Sequence, residues 1–163
     1  MLGIGRHTDY ASRVLLHLAT RGNNTLTTVK EIADQRVLPA PFVRRVVGRL
    51  ARTGLLETVR GAGGGVRLAR PSREIFLLDV VNAMENHIVL NRCVCTPAAC
   101  PLSDDCPVRH AWTRATRTLE SHMAEVSFAD LARRLKKTAG QGRNRAKTKN
   151  RLGGRQASRS SSK

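Results

Sequence analysis

All four cysteines of this 163-residue chain lie within one segment of fourteen residues. They are Cys93, Cys95, Cys100 and Cys106. Thiolates are soft anionic ligands, and several of them on one loop can share a metal ion or an iron–sulfur cluster. Disulfide frameworks belong instead to small secreted proteins, whose cysteines join distant segments. The clustering therefore predicts a metal or cluster site, with redox-active thiols as the alternative.

The charge of the chain is concentrated at its C-terminal end. The net charge is +17, and residues 133–163 contribute +12 of it without a single acidic residue. This low-complexity stretch cannot bury enough apolar surface to offset the entropy cost of ordering it. We expect residues 136–163 to form a disordered basic tail. Such a tail could hold nucleic-acid phosphates, or it could serve only to keep the protein in solution.

The rest of the composition argues against a membrane protein, a secreted protein and an enzyme. No apolar run approaches the ~18 residues that a membrane-spanning helix needs. The N-terminal segment lacks the apolar core and cleavage site of a secretory signal. Outside the cysteine segment we find neither a nucleophile–base pair nor a catalytic metal motif. We therefore expect a cytoplasmic protein that is not an enzyme.

Three predicted helices occupy the N-terminal part of the chain. The first is predicted over residues 8–21 with Thr8 as its N-cap, because apolar residues recur there at helical spacing. Thr28 and Glu31 form a capping box that begins the second. The third is predicted over residues 41–53, after a break at Pro39. Its predicted inward face consists of Phe42, Val43, Val46, Val47 and Leu50.

The third predicted helix carries a basic outer face. A short helix, a tight turn and a second helix with exposed basic residues form the helix-turn-helix arrangement that enters a DNA major groove. Charge on a helix is more often a solvated surface, but residues 41–53 contain no acid to balance it. The arginines of this helix are Arg44, Arg45, Arg49 and Arg52.

A β-hairpin is predicted directly after the third helix. Residues 55–60 and 66–69 have the pattern of short strands around a glycine-rich turn at 61–65. Arg60 and Arg67 flank the tip, where a DNA phosphate or the minor groove could lie. A nucleotide-binding glycine loop would open a helix, whereas here another strand follows. The hairpin is therefore interpreted as the wing of a winged helix-turn-helix.

The predicted fold class is mainly α with a small β-hairpin wing, followed by a long C-terminal dimerisation helix. The long helix is predicted over about residues 107–125 with one apolar stripe, which we expect an equivalent helix of a partner to cover. The expected divisions are a DNA-binding domain (1–85), a cysteine loop (86–107), the dimerisation and terminal helices (108–135) and the tail (136–163). The stripe comprises Val108, Ala111, Trp112, Ala115, Leu119 and Met123.

Three stretches together resemble the Rrf2 family of winged-helix regulators. They are RHTDYASRVLLHLA near the N-terminus, the wing GLLETVRGAGGGVRL, and the cysteine loop before CPVRHAW. The resemblance covers residues 5–135. It implies a homodimer that binds pseudo-palindromic promoter DNA, with the long helices at the dimer interface. In cluster-binding members, three loop cysteines hold an iron–sulfur cluster, which would be [2Fe–2S] or [4Fe–4S].

The resemblance leaves one thiolate ligand open. The spacing of Cys100 and Cys106 matches the family, whereas either Cys93 or Cys95 could be the remaining cysteine ligand.

The fourth ligand differs between branches of the family. IscR-like members use a histidine three residues after the last cysteine, and here that position is Arg109, with His110 next to it. NsrR-like members use an aspartate near the start of the first helix of the other subunit. Asp9 matches that position, so the apparent ligand pattern is closest to the NsrR-like branch. An ordinary aspartate in a first helical turn would look the same.

The resemblance implies a DNA-binding transcriptional repressor controlled by a cluster that senses nitric oxide, redox state or iron supply. One alternative is a zinc-stabilised regulator that uses all four cysteines, although zinc sites usually show paired spacings such as Cys-x2-Cys. The other is a thiol-redox regulator without metal.

Overall fold

The computed structural model describes residues 4–85, 88 and 90–138. Seven α-helices, two short 3-10 helices and one two-stranded antiparallel hairpin are found there, which confirms the predicted fold class. None of these helices is long and apolar enough to span a membrane. The elements are α1 (Arg6–Arg21), α2 (Val29–Arg36), α3 (Ala40–Arg52), β1 (Leu56–Val59), β2 (Gly65–Leu68), α4 (Leu77–Glu85), α5 (Arg92–Cys95), α6 (Pro107–Glu125) and α7 (128–138).

One hydrophobic core joins α1, α2, α3, α4, the hairpin and the start of α7. Apolar residues three and four positions apart place one face of each helix inward, where their burial favours folding. Phe128 at the start of α7 is fully buried, and its backbone N–H donates to the Ile75 carbonyl at 2.9 Å. The terminal helix therefore packs on the same core as the N-terminal helices. The expected domain divisions stay a prediction.

The terminal helix continues beyond the boundary expected from the sequence. Residues 136–138 are helical, although the basic tail was expected to begin at residue 136. The remainder of the predicted tail, residues 139–163, lies outside the described residues.

The start of α1 differs from the prediction that Thr8 caps it. The helix begins at Arg6, and the Thr8 hydroxyl donates to the carboxylate of Glu85 at the end of α4. The backbone N–H of Gly5 donates to the same oxygen, Oε1, at 3.0 Å. A carboxylate at a helix N-terminus is favoured by the helix dipole. A residue 77 positions away therefore caps α1, and it directly precedes the segment that leads to the cysteines.

The start of α2 follows the sequence prediction. The Thr28 hydroxyl accepts a hydrogen bond from the Glu31 backbone N–H at 3.1 Å, which is the first half of the predicted capping box. Helix α2 ends at Arg36, and the next residue, Val37, adopts a left-handed conformation with φ of 52°. This conformation turns the chain into α3.

The wing is hydrogen-bonded to Thr27, two residues before α2, in addition to the pairing of its own two strands. Strands β1 and β2 pair in the register Leu56–Leu68 to Val59–Gly65. Thr27 forms a bridge to Val66, with N–H to carbonyl distances of 3.0 and 2.9 Å. A Cβ atom added to Gly65 would lie 2.8 Å from the Thr27 carbonyl oxygen. The glycine is thus required by a backbone that approaches within contact distance.

Two glycine-to-alanine changes are expected to shift stability in opposite directions. Gly65→Ala should lower the free energy of unfolding by about 1–3 kcal/mol, because the new methyl group overlaps the Thr27 backbone. Gly48→Ala in α3 should raise it by about 0.5–1 kcal/mol, because alanine favours helix. A Cβ atom there has as its nearest neighbour the end of the Arg52 side chain, at 3.8 Å. Urea unfolding followed by circular dichroism measures both. Equal effects of the two changes would contradict the close approach at Gly65.

His17 is a buried histidine on α1 without a hydrogen-bond partner for Nε2 within the described part of the chain. Its side chain is 1% exposed. Burial lowers the pKa of His17, and the guanidinium groups of Arg36 and Arg21 lower the pKa further, against a smaller opposing effect of Glu31. The neutral form is therefore favoured in the folded protein.

Acidification is expected to destabilise the fold through His17. Above its ordinary pKa of 6.5 the imidazole is neutral in both the folded and the unfolded chain. Below that value the unfolded chain binds a proton that the folded chain resists, so the free energy of unfolding falls as pH falls. Unfolding curves from about pH 7.5 to about pH 5.5 should show this loss, and His17→Leu should reduce it. An identical pH dependence in that variant would contradict the assignment.

Candidate functional site

The outer face of α3 presents arginines in two different situations. Arg44 and Arg45 are exposed, and neither forms an ion pair with any side chain of the described residues. Arg49 is half-buried, and its Nε donates to the Ala83 carbonyl of α4 at 2.8 Å. The sequence could not distinguish them, because the third arginine is engaged by a helix 34 residues away. Arg44 and Arg45 therefore remain free to meet an anionic partner.

The prediction that Phe42 faces inward was wrong. Its side chain is 40% exposed, because Val43, Val46 and Leu50 fill the inward face of α3. The Phe42 ring lies at the edge between α3 and α1, where it meets the ring of Tyr10 at a centroid distance of 6.0 Å.

The wing also presents its two predicted arginines differently. Arg60 directly follows β1 and is exposed. Arg67 lies opposite Glu57 in the strand register, and the two form an ion pair with an Nη2–Oε2 distance of 2.8 Å. The charge of Arg67 is thus partly balanced within the wing, whereas that of Arg60 is not balanced by any ion pair seen in residues 4–85.

The cysteine segment lies between α4 and α6, and in its described residues the helical structure is limited to the single turn of α5 and a 3-10 turn at Pro97–Ala99. Cys93 and Cys95 are on the single turn of α5, and Cys106 directly precedes α6. All four thiols are free. Cys95 is exposed, whereas the other three cysteines are half-buried.

Arg109 joins the two ends of the cysteine segment. Its Nε donates to the Cys93 carbonyl at 3.2 Å, and its Nη1 donates to the Ser103 carbonyl at 2.9 Å. This is the position at which the resemblance would place a histidine ligand in another branch. The neighbouring His110 is exposed, and its backbone N–H donates to the Cys106 carbonyl at 3.2 Å. The sequence analysis identified Arg109 only by its position after the last cysteine. The hydrogen bonds of its side chain to the Cys93 and Ser103 carbonyls could not be predicted from the sequence.

Asp9 lies in the first turn of α1 and forms an ion pair with Arg13 at 2.9 Å. Both side chains are about half exposed. No three His, Cys, Asp or Glu side chains are assembled closely enough to hold a metal ion among residues 4–85, 88 and 90–138. In the described part of the chain, the four cysteines therefore do not form such a three-ligand group, either by themselves or with Asp9.

The chain matches a known protein family over most of its length. The model of the Rrf2 family, described as "Iron-dependent Transcriptional regulator", matches residues 4–134. The chain belongs to the Rrf2 family. Its members are transcriptional regulators, and this Rrf2 protein has the helix-turn-helix arrangement with which many such regulators enter a DNA major groove.

Individual relatives agree with this assignment. Protein aau3 of Rhizobium meliloti (strain 1021) is 35% identical over 129 residues, covering 78% of this chain and 83% of that protein. The HTH-type transcriptional regulator NsrR of Oceanobacillus iheyensis is 30% identical over 131 residues, covering 80% of this chain and 89% of that protein. The solved structure of CymR, the global cysteine regulator of B. subtilis, has a TM-score of 0.69 and 26% identity, covering 81% of this chain and 97% of that chain.

The apolar stripe that the sequence predicted on α6 is partly exposed in this Rrf2 protein. Among its residues, Val108 is 60% exposed and Leu119 is 43% exposed. On this helix only Thr116 is buried. A groove on α6 is lined by Pro107, Val108, Ala111, Trp112 and Ala115.

Proposed function

We propose that this Rrf2 protein is a homodimeric repressor whose binding to promoter DNA depends on an iron–sulfur cluster, [2Fe–2S] or [4Fe–4S]. The cluster would sense nitric oxide, redox state or iron supply. The observation that carries the proposal is the presence of four free thiols on one irregular segment between α4 and α6. Soft thiolates on a segment without long helices or strands suit a cluster better than they suit a hard cation.

The proposed ligands are Cys100, Cys106 and one of Cys93 and Cys95, with Asp9 of the partner subunit as the fourth. When bound, the cluster supplies a centre that reacts with nitric oxide or oxygen. Asp9 would have to leave Arg13 in order to serve as a ligand, and both side chains are exposed enough for this rearrangement.

Arg109 and Glu85 would connect the cysteine segment to the proposed DNA-binding unit. Arg109 holds the two ends of the segment through the Cys93 and Ser103 carbonyls. Glu85, the last residue of α4 before the segment, accepts hydrogen bonds from Gly5, the N-cap of α1, and from Thr8 in its first turn. A change in the segment would therefore bear directly on the start of α1 and on the spacing of the two DNA-binding units.

The proposed dimer interface is the exposed stripe of α6, because a continuous apolar helix face is unfavourable in water and often marks a contact with another protein. In a dimer, the two α3 helices would read half-sites about 34–36 Å apart. We assign base reading to Arg44 and Arg45, and phosphate contacts to Arg60 and Arg67. The hydrogen bond of Arg49 to Ala83 favours a role for Arg49 in holding α3 in place.

The test begins with purification of the full chain without oxygen. We expect visible absorption, together with iron and sulfide bound in equal amounts. DNA binding is then measured before and after nitric oxide, on a duplex selected by the protein from a random library. A colourless protein without iron or sulfide that nevertheless binds the selected duplex tightly would contradict the cluster proposal.

A thiol-redox regulator is the second candidate, and the exposure of Cys95 favours it. A thiol within reach of solvent and beside other thiols can be oxidised reversibly. Measuring DNA binding by the iron-free protein after peroxide, and again after a reductant, distinguishes this candidate from the cluster-dependent regulator. Reversible loss of DNA binding without any metal would support it, and zinc found by metal analysis would favour the zinc-stabilised alternative.

Asp9→Ala is expected to leave the fold intact and to make the cluster less stable or change its rate of reaction with nitric oxide. The cluster is expected to change because it loses one of its four proposed ligands. The fold should stay intact because this ligand comes from the other subunit and its loss does not disturb the local packing. The decay of visible absorption measures it. Asp34→Ala is the matched control, because Asp34 also forms an exposed ion pair one turn away, with Lys30. Identical decay in Asp9→Ala and the unaltered protein would remove Asp9 from the ligand set and favour His110.

A further inference from the structure

Three aromatic side chains form a platform at the boundary between α1 and α3. We call His7, Tyr10 and Phe42 the aromatic platform. The Phe42 ring meets Tyr10 edge-on, with an interplanar angle of 81°, and meets His7 at a centroid distance of 5.7 Å. Edge-to-face pairs at such distances are favourable beyond the area that they bury. The Phe42 ring is therefore supported from α1 although it lies partly in solvent.

Arg45 lies on this platform. Its Cζ is 5.7 Å from the centroid of the Phe42 ring, over the ring face. Arg44 has no such contact with a ring of the described residues, although it is equally exposed and adjacent in sequence. Arg49 is already bonded to Ala83. Among these three arginines of α3, Arg45 therefore combines a defined position with a guanidinium free of ion pairs.

We propose that Phe42 is a positioning residue for DNA sequence recognition, whose ring orients the Arg45 guanidinium toward a guanine edge in the major groove. The inference rests on the proposed function of α3 as the base-reading helix. It adds a division of labour: Arg45 reads a base, and the aromatic platform determines how well it does so.

The physical reason is preorganisation. A guanidinium in cation–π contact with a ring keeps the donors at its own edge free, and two of these donors match O6 and N7 of guanine. An unsupported arginine loses conformational entropy about several rotatable bonds when it binds. An arginine already held against a ring has lost part of that entropy before binding. The gain applies only where geometry matters, which is at a base edge and not at a phosphate.

The experiment is a double-mutant cycle on the full chain. Phe42→Leu, Arg45→Ala and the double variant are compared on a duplex selected by the unaltered protein and on the same bases in scrambled order. Phe42→Leu should weaken binding to the selected duplex by about two- to fivefold, as expected for loss of an exposed cation–π contact. It should leave the scrambled duplex unchanged, and it should have no further effect in the Arg45→Ala background.

Two controls separate positioning from a merely structural role. Phe42→Tyr keeps the ring and should retain the affinity and the preference for the selected duplex. In the Arg44→Ala background, Phe42→Leu should still lower the affinity for the selected duplex by the same factor, because Arg44 does not contact the ring.

Three results would overturn the inference. In the first, Phe42→Leu lowers the affinity for the selected duplex equally in the unaltered and in the Arg45→Ala background. In the second, Phe42→Leu lowers the affinity for both duplexes equally. Either of these, with Arg45→Ala still lowering the preference, removes the positioning role but leaves α3 as the reading helix. The third is an Arg45→Ala variant with unchanged preference, which removes the base-reading assignment of Arg45 as well.

Discussion

Replacing Cys100 or Cys106 with alanine is expected to abolish the visible absorption of the anaerobically purified protein. Of the two earlier cysteines, only one should be required in the same way. The reason is that three thiolates and one ligand from outside the segment complete the proposed site, so that one of the four cysteines is spare. Loss of a required thiolate leaves an iron without a soft ligand, and the whole cluster is then expected to be lost.

The structure favours Cys93 as the required member of the earlier pair. Its backbone carbonyl is held by Arg109, and its side chain is half-buried, whereas Cys95 is exposed. Absorption spectra and iron assays of the four single variants measure the outcome. Circular dichroism and the oligomeric state serve as controls for folding. Equal loss in all four variants would instead indicate a site of four thiolates without Asp9.

Arg44→Ala or Arg45→Ala is expected to weaken binding to the selected duplex by about 1–3 kcal/mol, because a bidentate contact to a guanine edge carries that much discrimination. Arg60→Ala and Arg67→Ala should weaken binding to selected and scrambled duplexes alike, since phosphates are the same in both. The smaller of these two losses is expected for Arg67, whose charge is partly balanced by Glu57.

Titration of both duplexes at one salt concentration measures this division. Arg73→Ala is a suitable control, because Arg73 is a strongly exposed arginine paired with Glu74 and lies outside α3 and the wing. Equal losses on the two duplexes for both Arg44 and Arg45 would deny α3 a base-reading role. A loss of preference caused by Arg60→Ala would move part of the sequence recognition to the wing.

Much of the fold could be predicted from the sequence because its signals are local. The spacing of apolar residues defines the helices, and α6 spans the predicted residues 107–125. The glycine-rich turn defines the hairpin, since four glycines of the described residues adopt positive φ and two of them, Gly61 and Gly63, lie in that turn. Capping by Thr28 is likewise a contact between near neighbours in the chain.

The elements that were predicted incorrectly depend on distant partners. Thr8 has the residue type of an N-cap, yet its hydroxyl is engaged by Glu85, and the helix begins two residues earlier. Phe42 is as apolar as Val43, yet it lies at the edge between two helices. Periodicity alone cannot decide this, because a residue at the border of an apolar stripe can pack on either side.

By itself, the sequence determined the winged-helix fold, the clustering of the four cysteines and the family to which the chain belongs. These follow from residue type and spacing, which are properties of the chain before it folds. Only the tertiary structure distinguished among residues of one type. It bound Arg49 to Ala83 of α4, balanced Arg67 with Glu57 of the facing strand, and placed the Phe42 ring that Arg45 contacts against Tyr10 of α1. The physical reason is that the charge available to a partner depends on contacts between separate elements of the fold, and such contacts exist only after packing.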